Sequence, residues 1–279
     1  MVWDMTSLAG PVNQVLGEQI LAGERSRSRR WRVQFMLAWL VIVAALVAFV
    51  LITINLDTQF IAKWLPFILT GVPVTIFVSF ASITLAVILA VLGALGRLSV
   101  NPYVNGLASF YVSFFRGTPL LLQIVFIYFA LPQMGLVLPE IPTGIIALGF
   151  NYGAYMTEVF RSGIQAVPHG QTEAALSLGM SGGTTFRRII VPQAFRIVTP
   201  AIGNDFIAML KDSSLVSVIS VHELLYQAQV AGRPNHKSMQ TLLIAAMVYW
   251  ILTIAFSFFQ ARLERRQAVG DRSRRPGSG

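Results

Sequence analysis

Between Leu65 and Gly96 the chain carries no charged residue, and further uncharged, largely apolar runs extend from Val33 to Leu56, Gly117 to Pro139, Ile141 to Thr157 and Met239 to Ala261. A bilayer core is crossed by about 20 mainly apolar residues in a helix. Backbone groups in lipid must be paired within the segment, so runs of this kind fold as helices. Five such runs predict an all-α integral membrane protein. A sixth segment, Arg196 to Val221, is apolar except where Asp205, Lys211 and Asp212 interrupt it. Ionisable groups at membrane depth are costly and mark functional positions, so we read this segment as a sixth span. Composition points the same way. Hydrophobic residues make up 55% of the chain and charged residues 12%, against about 25% charged in an average soluble domain.

Lys and Arg total 21 against 12 Asp and Glu. The basic residues fall between the apolar runs and form no polar helix face, which argues for a membrane and against nucleic acid. With six spans both termini share a side. Placing that side in the cytoplasm gathers Arg25, Arg27, Arg29, Arg30 and Arg32 before span one, and Arg97 and Arg116 around the turn between spans two and three. It also gathers Arg161, Arg187, Arg188 and Arg196 between spans four and five, and Arg262, Arg265, Arg266, Arg272, Arg274 and Arg275 in the tail. The far side keeps Lys63, Arg233 and Lys237. Cysteine is absent, so neither disulfides nor thiolate chemistry enter.

The expected organisation is a basic cytoplasmic segment over 1–32, a first transmembrane helix over 33–56, a core over 65–266 with a cytoplasmic loop at 161–196, and a disordered cytoplasmic tail over 267–279. The first apolar run begins after about thirty residues and outlasts the 7–15 residue apolar core of a cleaved signal, so it is read as a retained helix.

The loop contains a short helix readable from its ends. Pro168 suits a first helical position, Glu173 to Leu178 are good helix formers, and Gly179 suits a left-handed stop. So short a helix is stable only when docked. Its pattern, Glu173-Ala174-Ala175 with Leu176, then Gly179, Ile189 and Val191-Pro192, resembles the EAA loop of ABC importer permeases, whose usual form ends in Leu-Pro where this chain has Val191-Pro192. Further segments resemble the polar amino-acid branch of that family: Phe115-Arg116-Gly117-Thr118-Pro119-Leu120, Tyr152-Gly153-Ala154-Tyr155 with Glu158 and Arg161, Val191-Pro192-Gln193-Ala194-Phe195-Arg196, and Gly203-Asn204-Asp205-Phe206-Ile207 followed by Lys211-Asp212-Ser213-Ser214-Leu215. The resemblance implies a type I ABC importer permease fold of five core helices, here with one extra N-terminal helix packed on the periphery. It implies a multi-pass protein of the bacterial cytoplasmic (inner) membrane that binds no cofactor itself. It also implies partners: an ABC ATP-binding subunit dimer that uses ATP and Mg, a second permease subunit, an extracytoplasmic substrate-binding protein and a polar amino acid. The coupling residues it implies are Glu173, Ala174, Ala175, Leu176, Gly179, Ile189 and Pro192.

Asp205 and Asp212 stand seven residues apart, two helical turns, and therefore share a face; Asn204 and Lys211 repeat the spacing on the next stripe. Pro200 and Gly203 predict a kink or break just upstream. A zwitterion needs an acceptor for its ammonium and donors for its carboxylate. Asp205 and Asp212 offer the first, Asn204 and Lys211 the second, with hydroxyls from Ser213 and Ser214. Two carboxylates lean towards a basic amino acid. Lys211 and Asp212 equally fit a buried structural pair. Glu158 is read as a structural partner of Arg161, and Arg116 as a positive-inside anchor ahead of a gating role. His169, His222 and His236 lack metal spacing.

No Gly-x4-Gly-Lys-Ser/Thr motif is present, so an ATP-driven process needs a partner. The rival is a six-span secondary transporter or channel, for which internal repeats are expected. A membrane enzyme lacks any nucleophile-base set in this sequence.

Overall fold

The computed structural model describes the backbone of residues 30–45, 48 and 56–272, with side chains up to residue 265. It divides into two units, residues 1–57 and 58–279. In the first, helix α1 spans residues 30–45 and is exposed all round. Along it, at i, i+4 spacing, Trp31 and Phe35 stack with ring centroids 5.2 Å apart, and Phe35 and Trp39 meet edge to face at 6.3 Å. The remainder of the expected 1–32 segment, most of the expected span after residue 45, and residues 273–279 lie outside the described residues, as does the peripheral packing expected of the first helix.

Every regular element of the second unit is helical, with no strand among its described residues. Its helices are α2 (Thr58–Leu69), α3 (Gly71–Arg97), α4 (Pro102–Gly117), α5 (Leu120–Gln133), α6 (Glu140–Gln165), α7 (His169–Ser177), α8 (Gly182–Thr185), α9 (Val191–Asp212), α10 (Leu224–Gly232) and α11 (Ser238–Arg272). A π-helical turn, Phe186–Ile190, leads into α9, and a 3-10 segment, Ser213–Ile219, leaves it.

Among the described residues, Thr58–Arg97 and Ser238–Arg265 are long and apolar enough to cross a membrane. The pair α4 and α5, bent by 106°, qualifies as a third if taken as one broken span. Helices α6 and α9 have 26 and 22 residues, about 39 and 33 Å at 1.5 Å per residue, which is membrane length. Polar residues such as Asn151 and Glu158 on α6 and Asp205, Lys211 and Asp212 on α9 make them less apolar than α3 and than Ser238–Arg265 of α11.

Helix α6 is the central post. Its small residues let neighbours approach to backbone contact, the mode of association that remains when lipid cancels the hydrophobic drive between helices. A Cβ at Gly153 would stand 2.6 Å from Tyr111 Oη and 2.9 Å from Leu89 Cβ, which seats α6 against α4 and α3. One at Gly163 would stand 2.3 Å from Val198 Cγ1 on α9. Around these contacts Ala86, Ala90, Ala94, Met156 and Met209 form one buried cluster, and Val78, Ile124, Leu148 and Val216 another.

Four expectations change. The turn placed between spans two and three is a 16-residue helix, α4, started by Asn101, whose side chain accepts from the Tyr103 amide, and by Pro102 at its first position. Arg116 therefore lies in the last turn of α4, at the opposite end of that helix from Asn101. Secondly, α9 passes unbroken through Pro200 and Gly203; Gly203 is packed under Gln260, whose amide donates to Pro200 O at 3.3 Å. The change of winding comes after Asp212, where Ser213 Oγ donates to Leu210 O at 2.9 Å and tightens the helix. Thirdly, Pro168 is the residue before α7 and not its first. Fourthly, α11 continues to Arg272, into the expected tail, because no proline interrupts it before Pro276.

Candidate substrate cleft and coupling loop

Gly117-Thr118-Pro119 makes the bend between α4 and α5. Proline disfavours helical conformation in the residue before it, and Thr118 is extended at φ −115°, ψ 144°. The bend opens a cleft of about 550 Å³ against α6 and α9. Arg116 comes to it from α4, Asn151, Tyr152 and Tyr155 from α6, and Asp205 and Asp212 from α9. Its size suits a small polar solute.

The charges in this cleft are held apart. The Arg116 guanidinium lies 5.1 Å from the centre of the Tyr155 ring, in cation–π contact. Tyr152 donates its hydroxyl to Asp212 Oδ2 at 2.7 Å. Among the described residues no ion pair joins Arg116 to either aspartate; the pairs present are Arg97–Glu158 and Arg161–Glu158. One cation and two carboxylates thus face the same space with capacity to spare.

The other expected site residues are elsewhere. Asn204 and Lys211 are exposed on a different stripe of α9 and do not line the cleft. Asn204 Oδ1 accepts from Gln260 Nε2 at 2.9 Å. Lys211 forms no ion pair with Asp212, so the buried structural pair is not formed. Ser213 is buried with its hydroxyl turned back onto α9, and Ser214 also lies off the cleft.

Glu158 joins three helices. Its Oε1 accepts from Arg97 Nε at 3.1 Å, and its Oε2 from Arg161 Nε at 2.8 Å. Arg161 also reaches Gln165 Oε1 at 2.7 Å, while Arg97 donates to Ser109 Oγ on α4. The Arg161 partner follows from i, i+3 spacing; Arg97, distant in sequence, does not.

In the loop, α7 ends as its sequence dictates. Gly179 has φ 80°, its amide bonds Leu176 O at 2.9 Å, and the Met180 amide bonds Ala175 O at 3.1 Å, which together make a Schellman cap. Ala175 is buried, whereas Glu173, Ala174 and Leu176 are exposed and Leu178 is 83% exposed. Ile189 packs against the cluster of Val167, Ile190 and Ala194 beneath the π-helical turn, and Pro192 lies exposed in the first turn of α9. The loop thus connects α6 directly to α9.

Several polar residues here escaped the sequence reading. Gln123 is the one polar residue in Leu120-Leu121-Leu122-Gln123-Ile124-Val125-Phe126, and that isolation was its signal. Glu223, fully buried, caps α10 by accepting from the amides of Leu225 at 3.0 Å and Tyr226 at 2.8 Å, and it also accepts from the Tyr249 hydroxyl on α11. Among the described residues no three His, Asp or Glu converge as a metal site.

The model of the family described as "Binding-protein-dependent transport system inner membrane component" matches residues 82–269. The chain belongs to this family. As such a component it is a permease subunit and not itself the catalyst. Among relatives from Bacillus subtilis (strain 168), the L-cystine transport system permease protein TcyB is 40% identical over 202 residues, covering 72% of this chain and 86% of that protein. The arginine transport system permease protein ArtQ is 35% identical over 219 residues, 78% of this chain and all of ArtQ. A solved structure, described as an amino acid ABC transporter with histidines, superposes with a TM-score of 0.72 at 38% identity, over 76% of this chain and the whole of that one. The second unit therefore has the type I ABC importer permease fold.

Proposed function

We propose that the chain is the permease subunit of an ATP-driven importer of polar amino acids, and that the cleft between α4, α6 and α9 is where the solute pauses on its way through. The observation that carries this reading is the separation of Arg116 from Asp205 and Asp212 in one cleft. An α-carboxylate matches the planar donors of Arg116, and an α-ammonium matches a carboxylate on α9. The second carboxylate favours a basic side chain. In the sequence reading Asn204 and Lys211 served the carboxylate; off the cleft, they yield that role to Arg116. The names of the relatives support amino acids as the solute class.

Coupling runs through α7. The exposed Ala174 and Leu178, one turn apart at the end of a nine-residue helix, form an apolar edge, with Leu176 exposed on the opposite side, and such an edge fits a groove in an ATP-binding partner. Closure of two partner ATPases on ATP would press the loops of two permease subunits and turn α6 and α9, which flank each loop. An external binding protein supplies the solute. The reading includes six spans with both termini cytoplasmic, the first a helix over 33–56.

The test is reconstitution of the chain with its ATPase and binding protein, scanning ATP hydrolysis over the twenty amino acids. Stimulation by one or a few polar amino acids is expected. Asp212→Asn should then raise the half-saturating concentration about tenfold or more, as removal of a charge-assisted bond does. Solute-independent hydrolysis, or an unaltered profile in Asp212→Asn, rejects the cleft as the binding place.

A further inference from the structure

A bend of 106° leaves the last carbonyls of α4 without helical donors, and those that are buried need another donor. One side chain takes over that task. Gln123, in the first turn of α5 and 5% exposed, donates from Nε2 to Phe115 O at 2.9 Å, to Thr118 O at 3.1 Å and to Thr118 Oγ1 at 2.7 Å. Its Oε1 accepts from Asn151 Nδ2 at 3.2 Å, and the same Nδ2 lies 3.1 Å from Phe115 O. Arg116 is the residue directly after Phe115, and Asn151 directly precedes Tyr152, which holds Asp212. The amide of Gln123 therefore ties the cationic wall of the cleft to its anionic wall while touching neither charge.

We propose that Gln123 is a positioning residue for solute passage: by pinning the α4–α5 bend to Asn151 it sets where Arg116 stands opposite Asp212, and so which zwitterion the cleft accepts. A residue serving only to fold α5 needs no amide, since leucine would fill the same space in an otherwise apolar turn. Both ends of the Gln123 amide are instead spent on polar groups, among them those of Thr118 and Asn151, which line the cleft. The proposal rests on the reading of that cleft as the solute site.

The experiment measures uptake in the complete reconstituted transporter, with arginine and glutamine as probes, for Gln123→Leu, Gln123→Glu, Thr118→Val and Asp212→Asn. Gln123→Leu is expected to raise the half-saturating concentration about tenfold, with a smaller effect on maximal rate, and to change the ratio between the two probes. Gln123→Glu keeps the shape but loses a donor, and once ionised it repels the carbonyls of Phe115 and Thr118. Its uptake relative to the parent should therefore fall as pH rises from about 6 to about 8. Thr118→Val removes one acceptor and should give a shift of about threefold. If Gln123→Leu fails to fold, the pH profile of Gln123→Glu and the shift in Thr118→Val decide. Parental half-saturation and a flat relative pH profile in both, alongside a shifted Asp212→Asn, overturn the role of Gln123 and leave the cleft standing. Parental values in Asp212→Asn as well overturn the cleft reading itself.

Discussion

Tyr152 and Tyr155 stand one turn apart on α6 and hold charges of opposite sign, the first by a hydroxyl on Asp212 and the second by its ring beneath Arg116. Without them, the guanidinium and a carboxylate facing the same cleft would be freer to pair across it. Tyr152→Phe should thus leave the fold intact and weaken solute affinity about tenfold or more, the cost of a hydrogen bond to a charged group. The readout is half-saturation of uptake, and an unaltered value would show that Asp212 is held by something else. Glu158→Gln belongs to stability. It leaves Arg97 and Arg161 facing a neutral amide at a partly exposed site, and should cost about 1 kcal/mol, seen as a lowered melting temperature in detergent. No drop would remove the clamp from the forces joining α3 to α6. The seven-residue interval of Asp205 and Asp212 was readable because one helix carries both. Their cationic counterpart was not, because Arg116 arrives from a helix whose existence the sequence reading missed.

Helix α7 was legible because local chemistry decides its end: only a residue at ease with φ near 80° allows the Met180 amide to turn back onto Ala175 O. Gly179→Asp should abolish solute-coupled ATP hydrolysis in the assembled transporter while membrane insertion persists. The left-handed position costs a β-carbon-bearing residue about 1 kcal/mol, too little to unfold the subunit but enough to unseat a docked helix end. Coupled hydrolysis at the parental rate would count against docking through α7. Leu178→Glu tests the same edge from outside the backbone: loss of co-purification with the ATPase is expected, and undiminished co-purification would move the contact elsewhere. Helix α4 escaped notice for a physical reason. Asn101, Asn105, Ser109 and Ser113 give it the look of a loop, yet Asn105 Nδ2 donates to Arg97 O at 2.8 Å and Ser109 Oγ to Asn105 O at 2.7 Å, so its polar groups are used inside the protein. Helix α9 erred in the other direction. Its Pro200 and Gly203 suggest a break, but the Gln260 side chain stacked on α9 supports that stretch from α11.

For the whole molecule, apolar runs and arginine placement carried the membrane assignment, whereas the arrangement of helices around α6 depends on glycine-to-side-chain contacts that no periodicity reveals. The proposed dependence on partners has a direct check. Proteoliposomes containing this chain alone should not accumulate amino acids under a proton or sodium gradient, and accumulation there would make it a secondary transporter. Gly163 also has a mechanical bearing. With Val198 seated where even a methyl group has no room, α6 and α9 cannot ratchet past one another by a turn, since the valine would have to ride over the next side chain. In the coupling proposed above, the two flanks of the loop therefore form a single wedge with the loop as its handle, so that force applied at α7 tilts that wedge and does not shear it. Spin labels on α6 and α9 should keep one separation with and without ATP while their distances to α5 change.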